Sequence, residues 1–303
     1  MPKSFHPAKI QLQHLKSKIL WRLNRPLFDE KIIALYKTLK QNGFLKLSLE
    51  DVGLNRNDLI FLQKRHQELL LNSITNNHCN NSNNNKRYWK QLLGNKNIPL
   101  SEKYFNIVLN NTLLTIVNHH LNCYSQLLEY NYWHNIKLDS AEPVASQLWH
   151  RDTLFDKKGF FINKVRAIIK AFIFLSEVDI KKGAFYYVRG SHNINTRNQI
   201  TPCAIEPNGA IRYSDASIIQ YFGKNAIEIM IGSPGTIIIF DASGLHKGGH
   251  IIEKESRSLF KMEFGSWLWN NFPYPKLYLD KSNRDLFLDK CSFQQLEAIK
   301  SLL

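Results

Sequence analysis

Apolar residues in the first part of the chain recur at helical spacing. Phe28, Ile32, Ile33, Leu35, Tyr36 and Leu39 form one stripe, and Asn42-Gly43 supplies its stop. Ile10, Leu12, Leu15, Ile19, Leu20 and Leu23 form a cruder stripe before it, and Asp58 to Leu71 fits another helix. Phe44 to Leu47 reads as a short strand, and Asn76 to Asn85 as an Asn-rich loop with nothing apolar to bury. Ser101 is placed to cap a helix that runs on through Tyr104, Ile107, Val108, Leu113, Leu114, Ile116 and Val117.

From about residue 130 the runs become short, β-branched or aromatic, with Gly, Asn, Asp and Pro between them. Ala167–Leu175, Ala184–Val188, Ile227–Ile231, Thr236–Phe240 and Ser258–Phe264 read as strands of a sandwich or barrel. Arg284 to Leu303 returns to helix. The pattern predicts a mainly β protein with flanking helices. Residues 1–130 form a mainly helical region packed on the core, 131–270 the β core and 271–303 a helical extension, all within one structural unit.

At 303 residues, with 44% hydrophobic and 21% charged positions, the chain can bury a substantial core, and collagen-like, disulfide-scaffold and disordered classes are excluded. No apolar run approaches the roughly 20 residues of a membrane-spanning helix. Basic residues near the start are not followed by an apolar stretch, so no secretory signal is read. Cys79, Cys123, Cys203 and Cys291 form no C-x-x-C pair and read as reduced thiols of a cytoplasmic protein.

Forty Lys and Arg against 25 Asp and Glu give a net charge of +15. Such a surface attracts anions: nucleic acid, anionic lipid, acidic small molecules or phosphorylated carriers. Because the charge is spread along the chain, a solvated surface accounts for it equally well. The local concentration is Met1 to Pro26, with six Lys/Arg and no acid. Its stripe suits a membrane-surface or partner-binding helix, although packing on the domain is the favoured reading.

The chemistry starts at Gln147-Leu148-Trp149-His150-Arg151-Asp152. His150 and Asp152, two apart on extended chain, point to the same side. An imidazole and a carboxylate so placed are two corners of a metal site, and a second His would complete the facial triad that suits non-haem Fe(II). A lone H-x-D arises often by chance, so the reading needs that second His. His192, His246 and His250 compete. Only His246 follows a buried-strand pattern, Gly235 to Asp241, and has Arg257 eleven residues downstream at the start of the next strand. That spacing allows a turn and return, and Arg suits bidentate capture of a carboxylate.

Three blocks resemble the phytanoyl-CoA dioxygenase family of iron(II)- and 2-oxoglutarate-dependent oxygenases: Gln147–Asp152, Lys182–His192, and Gly235–His246 with Arg257. The N-terminal helix leading into Asn42-Gly43-Phe44 is also similar to the usual opening of the family. The resemblance implies a double-stranded β-helix (jelly-roll) core and metal ligation by His150, Asp152 and His246. It implies that Arg257 binds the distal carboxylate of 2-oxoglutarate, with O2 as co-substrate and succinate and CO2 as products. Arg189 stands where the family often has Pro, so Arg189-Gly190-Ser191-His192 reads as a structural turn and His192 as non-ligating. Gly248 stands where some members carry a Ser that helps hold the keto acid. A secondary contact must then come from elsewhere, with Lys170 and Gln147 as candidates.

A carboxylate at position 152 argues for hydroxylation, since related halogenases leave that position without one. The substrate class that follows is a small or carrier-bound organic molecule, for which an anionic character would match the charge. Two alternatives stand beside it. Nucleic-acid demethylases of the superfamily use a further Arg after the carboxylate-binding one, and Ser258 to Gly265 has none, which weighs against nucleic acid. A non-catalytic jelly-roll binding protein would not need all four site residues. Trp149, Phe155, Phe160, Phe161, Trp267 and Trp269 flank the site in sequence and read equally as pocket lining or core. His119, His120 and His134 have no motif partner and read as structural or exposed. Oligomeric state is not legible.

Overall fold

The strand-like runs carry apolar residues at consecutive positions, a pattern that requires a sheet covered on both faces. The computed structural model describes residues 7–24, 29–75, 89–94, 98–137, 145–152, 168–193, 199–206, 210–252, 255–269, 277–279 and 288–302. In chain order these hold α1 (Pro7–Asn24), α2 (Glu30–Asn42), β1 (Phe44–Leu47), α3 (Arg56–Thr75), β2 (Trp89–Gln91), β3 (Ile98–Leu100), α4 (Glu102–Val108), α5 (Asn111–Leu121) and β4 (Gln126–Ile136). There follow β5 (Ile168–Phe174), β6 (Phe185–Val188), β7 (Ala204–Ile205), β8 (Ile211–Arg212), α6 (Asp215–Phe222), β9 (Ile227–Met230), β10 (Ile237–Asp241), β11 (His246–Gly248), β12 (Ser256–Gly265), β13 (Leu277–Leu279) and α7 (Phe293–Ile299).

Six strands form an antiparallel sheet in the order β1-β10-β5-β12-β4-β2, and β11-β6-β9 form a smaller antiparallel one. Side-chain alternation divides the large sheet between two cores. Ile169, Ala171, Ile173, Ile237, Ile239, Phe260 and Met262 pack outward against α4, α5 and other helical residues such as Leu39 and Leu62. Ile168, Phe172, Phe174, Ile238, Phe240 and Leu259 point the other way and meet Phe185, Tyr187 and Met230 of the small sheet. The result is a mainly β protein with flanking helices around a double-stranded β-helix core. No helix among the described residues is long and apolar enough to cross a membrane.

Local rules explain most boundaries. The α2 stop is Gly43, at φ +86 in the left-handed region that glycine tolerates, with its N–H donating to the Leu39 carbonyl at 2.8 Å. The single helix expected from Ser101 to Val117 is two. Asn110 interrupts it, caps α5 by accepting from Leu113 N–H at 3.0 Å, and donates from Nδ2 to the Val52 carbonyl at 2.9 Å. Ser101 makes no side-chain capping bond. The last helix, α7, starts with a full capping box of Ser292 and Gln295.

Two elements depart from the expected pattern. β4, between β12 and β2, carries Glu129, Asn131 and His134 among its apolar residues and so lacked a strand signature. α1 buries Ile10 of its expected stripe but packs mainly through other residues. Ile10, Ser17 and Trp21 are buried, Ser17 Oγ donates to the Tyr124 carbonyl at 2.9 Å, and Trp21 meets His119 and Tyr124 edge-on. Leu12, Leu15, Ile19 and Leu23 remain exposed. Cys123, Cys203 and Cys291 are free thiols, and Cys79 lies outside the described residues.

Candidate metal centre

The H-x-D segment joins the small sheet as an extra extended piece. Trp149 bridges to Tyr213, and His150 bridges to His246 at the start of β11. His150 N–H donates to the His246 carbonyl at 3.0 Å and His246 N–H to the His150 carbonyl at 2.9 Å, which sets the two imidazoles side by side with centroids 4.4 Å apart. Asp152 N–H donates to the Ala242 carbonyl at 2.8 Å, fixing the third residue to the turn that precedes β11.

Each imidazole is held in one orientation. His150 Nδ1 lies 2.8 Å from the Leu148 carbonyl, and His246 Nδ1 lies 2.9 Å from the Gly244 carbonyl. A carbonyl only accepts, so Nδ1 carries a hydrogen in both rings and Nε2 is the nitrogen each ring turns to the centre. Those Nε2 atoms face Asp152: His150 at 3.7 Å from Oδ1 and His246 at 3.3 Å from Oδ2. One donor atom from each of His150, Asp152 and His246 lies within 4.8 Å of the others, the one such His/Cys/Asp/Glu group among the described residues. Burial, and then the neighbouring His246, hold the His150 pKa well below the ordinary value, so this ring stays neutral and able to donate its lone pair. Burial alone would raise the Asp152 pKa, but the Lys170 ammonium beside it outweighs that cost and holds the carboxyl well below the usual range.

Arg257, buried on β12, donates from Nη1 to the Gly183 carbonyl beside β6. A Cβ added at Gly248, two residues beyond His246 on β11, would lie 3.8 Å from Arg257 Nη2. The guanidinium therefore reaches the strand that carries the second imidazole.

Lys170 extends the site across the large sheet. Its Nζ lies 2.6 Å from Asp152 Oδ2 and 3.0 Å from Glu263 Oε1. Lys261 Nζ lies 3.0 Å from the same Glu263 oxygen and 2.8 Å from Glu129 Oε2, and it covers the Trp133 ring at 4.6 Å. Strand register makes this ladder, because Glu263 sits opposite Lys170 on β5 and opposite Glu129 on β4. Burial disfavours the Lys170 charge, but Asp152 and Glu263 together raise its pKa above the ordinary value. Lys261 and Glu263 were legible only as two charges two apart in an apolar run, and their partners Glu129 and Asp152 come from distant segments.

The other histidines stand elsewhere. His192 sits in a 3-10 turn with Nε2 3.0 Å from the Lys40 carbonyl, and His250 is exposed beyond β11. His120 pairs with buried Asp241 at 2.7 Å, and His134 meets Ser258 Oγ at 3.1 Å. Trp149 is buried, with its indole N–H donating to Asp215 at 2.6 Å, and Trp267 and Trp269 are buried core residues. Phe155, Phe160 and Phe161 lie outside the described residues.

No protein-family profile matches the chain, and no curated protein sequence matches it. Solved structures do. HygX from Streptomyces hygroscopicus, determined with nickel and 2-oxoglutarate bound, superposes with a TM-score of 0.53 at 16% identity, over 80% of this chain and 88% of its own. The epimerase SnoN, in complex with Fe3+, alpha ketoglutarate and nogalamycin RO, superposes at 0.51 and 14% identity, over 78% and 84%. The non-haem alpha ketoglutarate-dependent carbocyclase SnoK from nogalamycin biosynthesis superposes at 0.50 and 12% identity, over 79% and 84%. The chain has their fold. On this fold, the His150–Asp152–His246 group lies where the small sheet meets the end of β10, with its donors turned toward one another.

Proposed function

We propose that the protein is an iron(II)- and 2-oxoglutarate-dependent dioxygenase that hydroxylates a C–H bond of a small or carrier-bound organic substrate. The observation that carries this reading is the convergence of two Nδ1-locked imidazoles and one carboxylate, with a buried Arg257 guanidinium reaching the same strand. Two imidazoles and a carboxylate fit Fe(II) and leave positions open for a chelating co-substrate and O2. His150, Asp152 and His246 would hold the metal. When bound, the metal with 2-oxoglutarate and O2 supplies the oxidising power, and succinate and CO2 are released.

This chain's own residues then have separate tasks. The carbonyls of Leu148 and Gly244 keep each Nε2 aimed at the centre. Lys170 holds the outer side of the Asp152 carboxylate. Arg257 would hold the distal carboxylate of 2-oxoglutarate through its guanidinium. The buried faces of β5, β10 and β6 exclude water from this end of the barrel.

The similarity of the three sequence blocks supports placement near the phytanoyl-CoA dioxygenases. The nogalamycin compound held by SnoN, a protein of the same fold, supports a small-molecule substrate. The free thiols among the described residues support a cytoplasmic location. The packing of α4 and α5 residues with the large sheet in one core supports a single structural unit of helical regions 1–130 and 271–303 around a catalytic core at 131–270.

Purified protein given Fe(II), O2 and 2-oxoglutarate should form succinate. His150→Ala or Asp152→Ala should lose metal binding in a Co(II) absorption titration, together with succinate formation. Arg257→Ala should keep the metal and raise the KM for 2-oxoglutarate by about 10- to 100-fold, as expected for a lost charge-assisted pair. Full metal affinity in both triad variants would refute the ligand assignment. An unchanged KM in Arg257→Ala would refute the co-substrate assignment.

A further inference from the structure

Helix α1 is apolar on two opposite faces, and the fold uses only one of them. Ile10, Ser17 and Trp21 lie inward, against Tyr124 and the turn that holds Trp267–Trp269. Leu12, Leu15, Ile19 and Leu23 follow one another at intervals of three, four and four, so they form one stripe on the far side. They are 50%, 54%, 48% and 75% exposed, a continuous row of large aliphatic side chains in water, where soluble proteins normally scatter such residues singly. Helical geometry sets Lys9 and Lys16 along one edge of this stripe and Lys18 and Arg22 along the other. The helix contains no acidic residue.

From this we infer that α1 is a membrane-surface helix that docks the protein, stripe inward, on an anionic lipid bilayer. An apolar row between two basic edges is the arrangement of a helix lying in the plane of the interface. The aliphatic side chains enter the acyl boundary, and the Lys and Arg stems reach outward to the lipid phosphates. A second copy of the chain is the poorer occupant. Pairing two such stripes would set the edges Lys9/Lys16 and Lys18/Arg22 against the same cations, with no acid on either helix to neutralise them. The net charge of +15 acts in the same direction, drawing the whole molecule to an anionic surface before the helix seats. The inference rests on the helix face alone and is independent of the metal site.

Co-sedimentation of the 303-residue protein with vesicles tests it. The protein should sediment with equimolar phosphatidylglycerol/phosphatidylcholine vesicles, stay in solution with phosphatidylcholine alone, and come off the anionic vesicles as salt is raised. Leu15→Glu/Ile19→Glu should lower the partition coefficient at least about 30-fold, and Lys9→Glu/Lys16→Glu should lower it as well. These side chains are exposed, so circular dichroism and melting temperature should match the wild type and show that folding is intact. Three results would overturn the inference: wild-type protein that ignores anionic vesicles, a Leu15→Glu/Ile19→Glu variant that binds them as well as wild type, or a concentration-dependent dimer that the same substitutions dissolve.

Discussion

Gly248 sits where a small change would alter the co-substrate end of the site. A Cβ there meets the Ser146 carbonyl at 3.7 Å and Arg257 Nη2 at 3.8 Å, both ordinary contacts, so a serine fits without moving the backbone. Its hydroxyl would stand beside the guanidinium and add an acceptor and donor next to the carboxylate that Arg257 captures. Gly248→Ser should lower the KM for 2-oxoglutarate by about 2- to 10-fold, the worth of one added hydrogen bond, with kcat little changed in a steady-state assay. A KM that rises instead would mean the keto acid binds away from β11. At this scale much was legible in the sequence. His150 and Asp152 share a side because they are two apart on extended chain, and His246 follows a strand whose apolar run is unmistakable. The role of Lys170 was not legible. Its spacing with Phe172 and Phe174 places the three on one strand face, but the sequence does not say which way that face points, nor that Asp152, eighteen residues earlier, is the anion Lys170 meets.

Between elements, the Asp152–Lys170–Glu263–Lys261–Glu129 ladder is a product of register. β12 lies between β5 and β4, and a shift of one residue would turn Lys261 and Glu263 to the outer face, into the apolar core shared with the helices. The ladder therefore pins β12, and Arg257 with it, since Arg257, Leu259, Lys261 and Glu263 alternate along one side of that strand. Lys170 is also the built-in counter-ion of Asp152. Lys170→Met leaves Glu263 its bond to Lys261 but leaves Asp152 a half-buried carboxylate without its cation, a loss of about 1–2 kcal/mol in the metal-free protein once solvent screening is allowed for. A divalent metal would then be the compensating charge. The melting temperature of the variant should rise more on adding Co(II) than that of the wild type, and equal increments would show that Lys170 does not balance the Asp152 charge. Elements were less legible than residues. β4 was missed because charged and amide side chains interrupt its apolar run, and their justification lies on β12. The α4–α5 break was missed because Asn110 caps α5 only in company with the Val52 carbonyl, 58 residues away.

For the whole molecule, acid titration separates two groups of buried residues. His66, on the buried side of α3, has its ring 5.5 Å from that of His134 and 6.2 Å from that of Tyr132. Burial, and then the His134 neighbour, push its pKa from 6.5 down to about 4. Burial lowers the pKa values of His14, His134 and His192 as well. For each, the unfolded chain takes up a proton that the folded imidazole refuses, so folding stability falls as pH drops below 6.5, and for His66 the fall ends near pH 4. Asp241 and Glu263 have pKa values below their ordinary 3.8 and 4.5, so the stability they contribute is lost only as pH falls below those values, from the acid end of the histidine window downward. Urea unfolding of the metal-free protein at a series of pH values should therefore show a first loss between pH 6.5 and 4. His66→Phe, which fills the same apolar space without a titratable nitrogen, should remove about 2 kcal/mol of that loss after allowance for partial solvent screening, and leave the slope below pH 4 unchanged. If His66→Phe loses stability with acid as steeply as the wild type, His66 is protonated in the fold and the burial that lowers its pKa is relieved in solution.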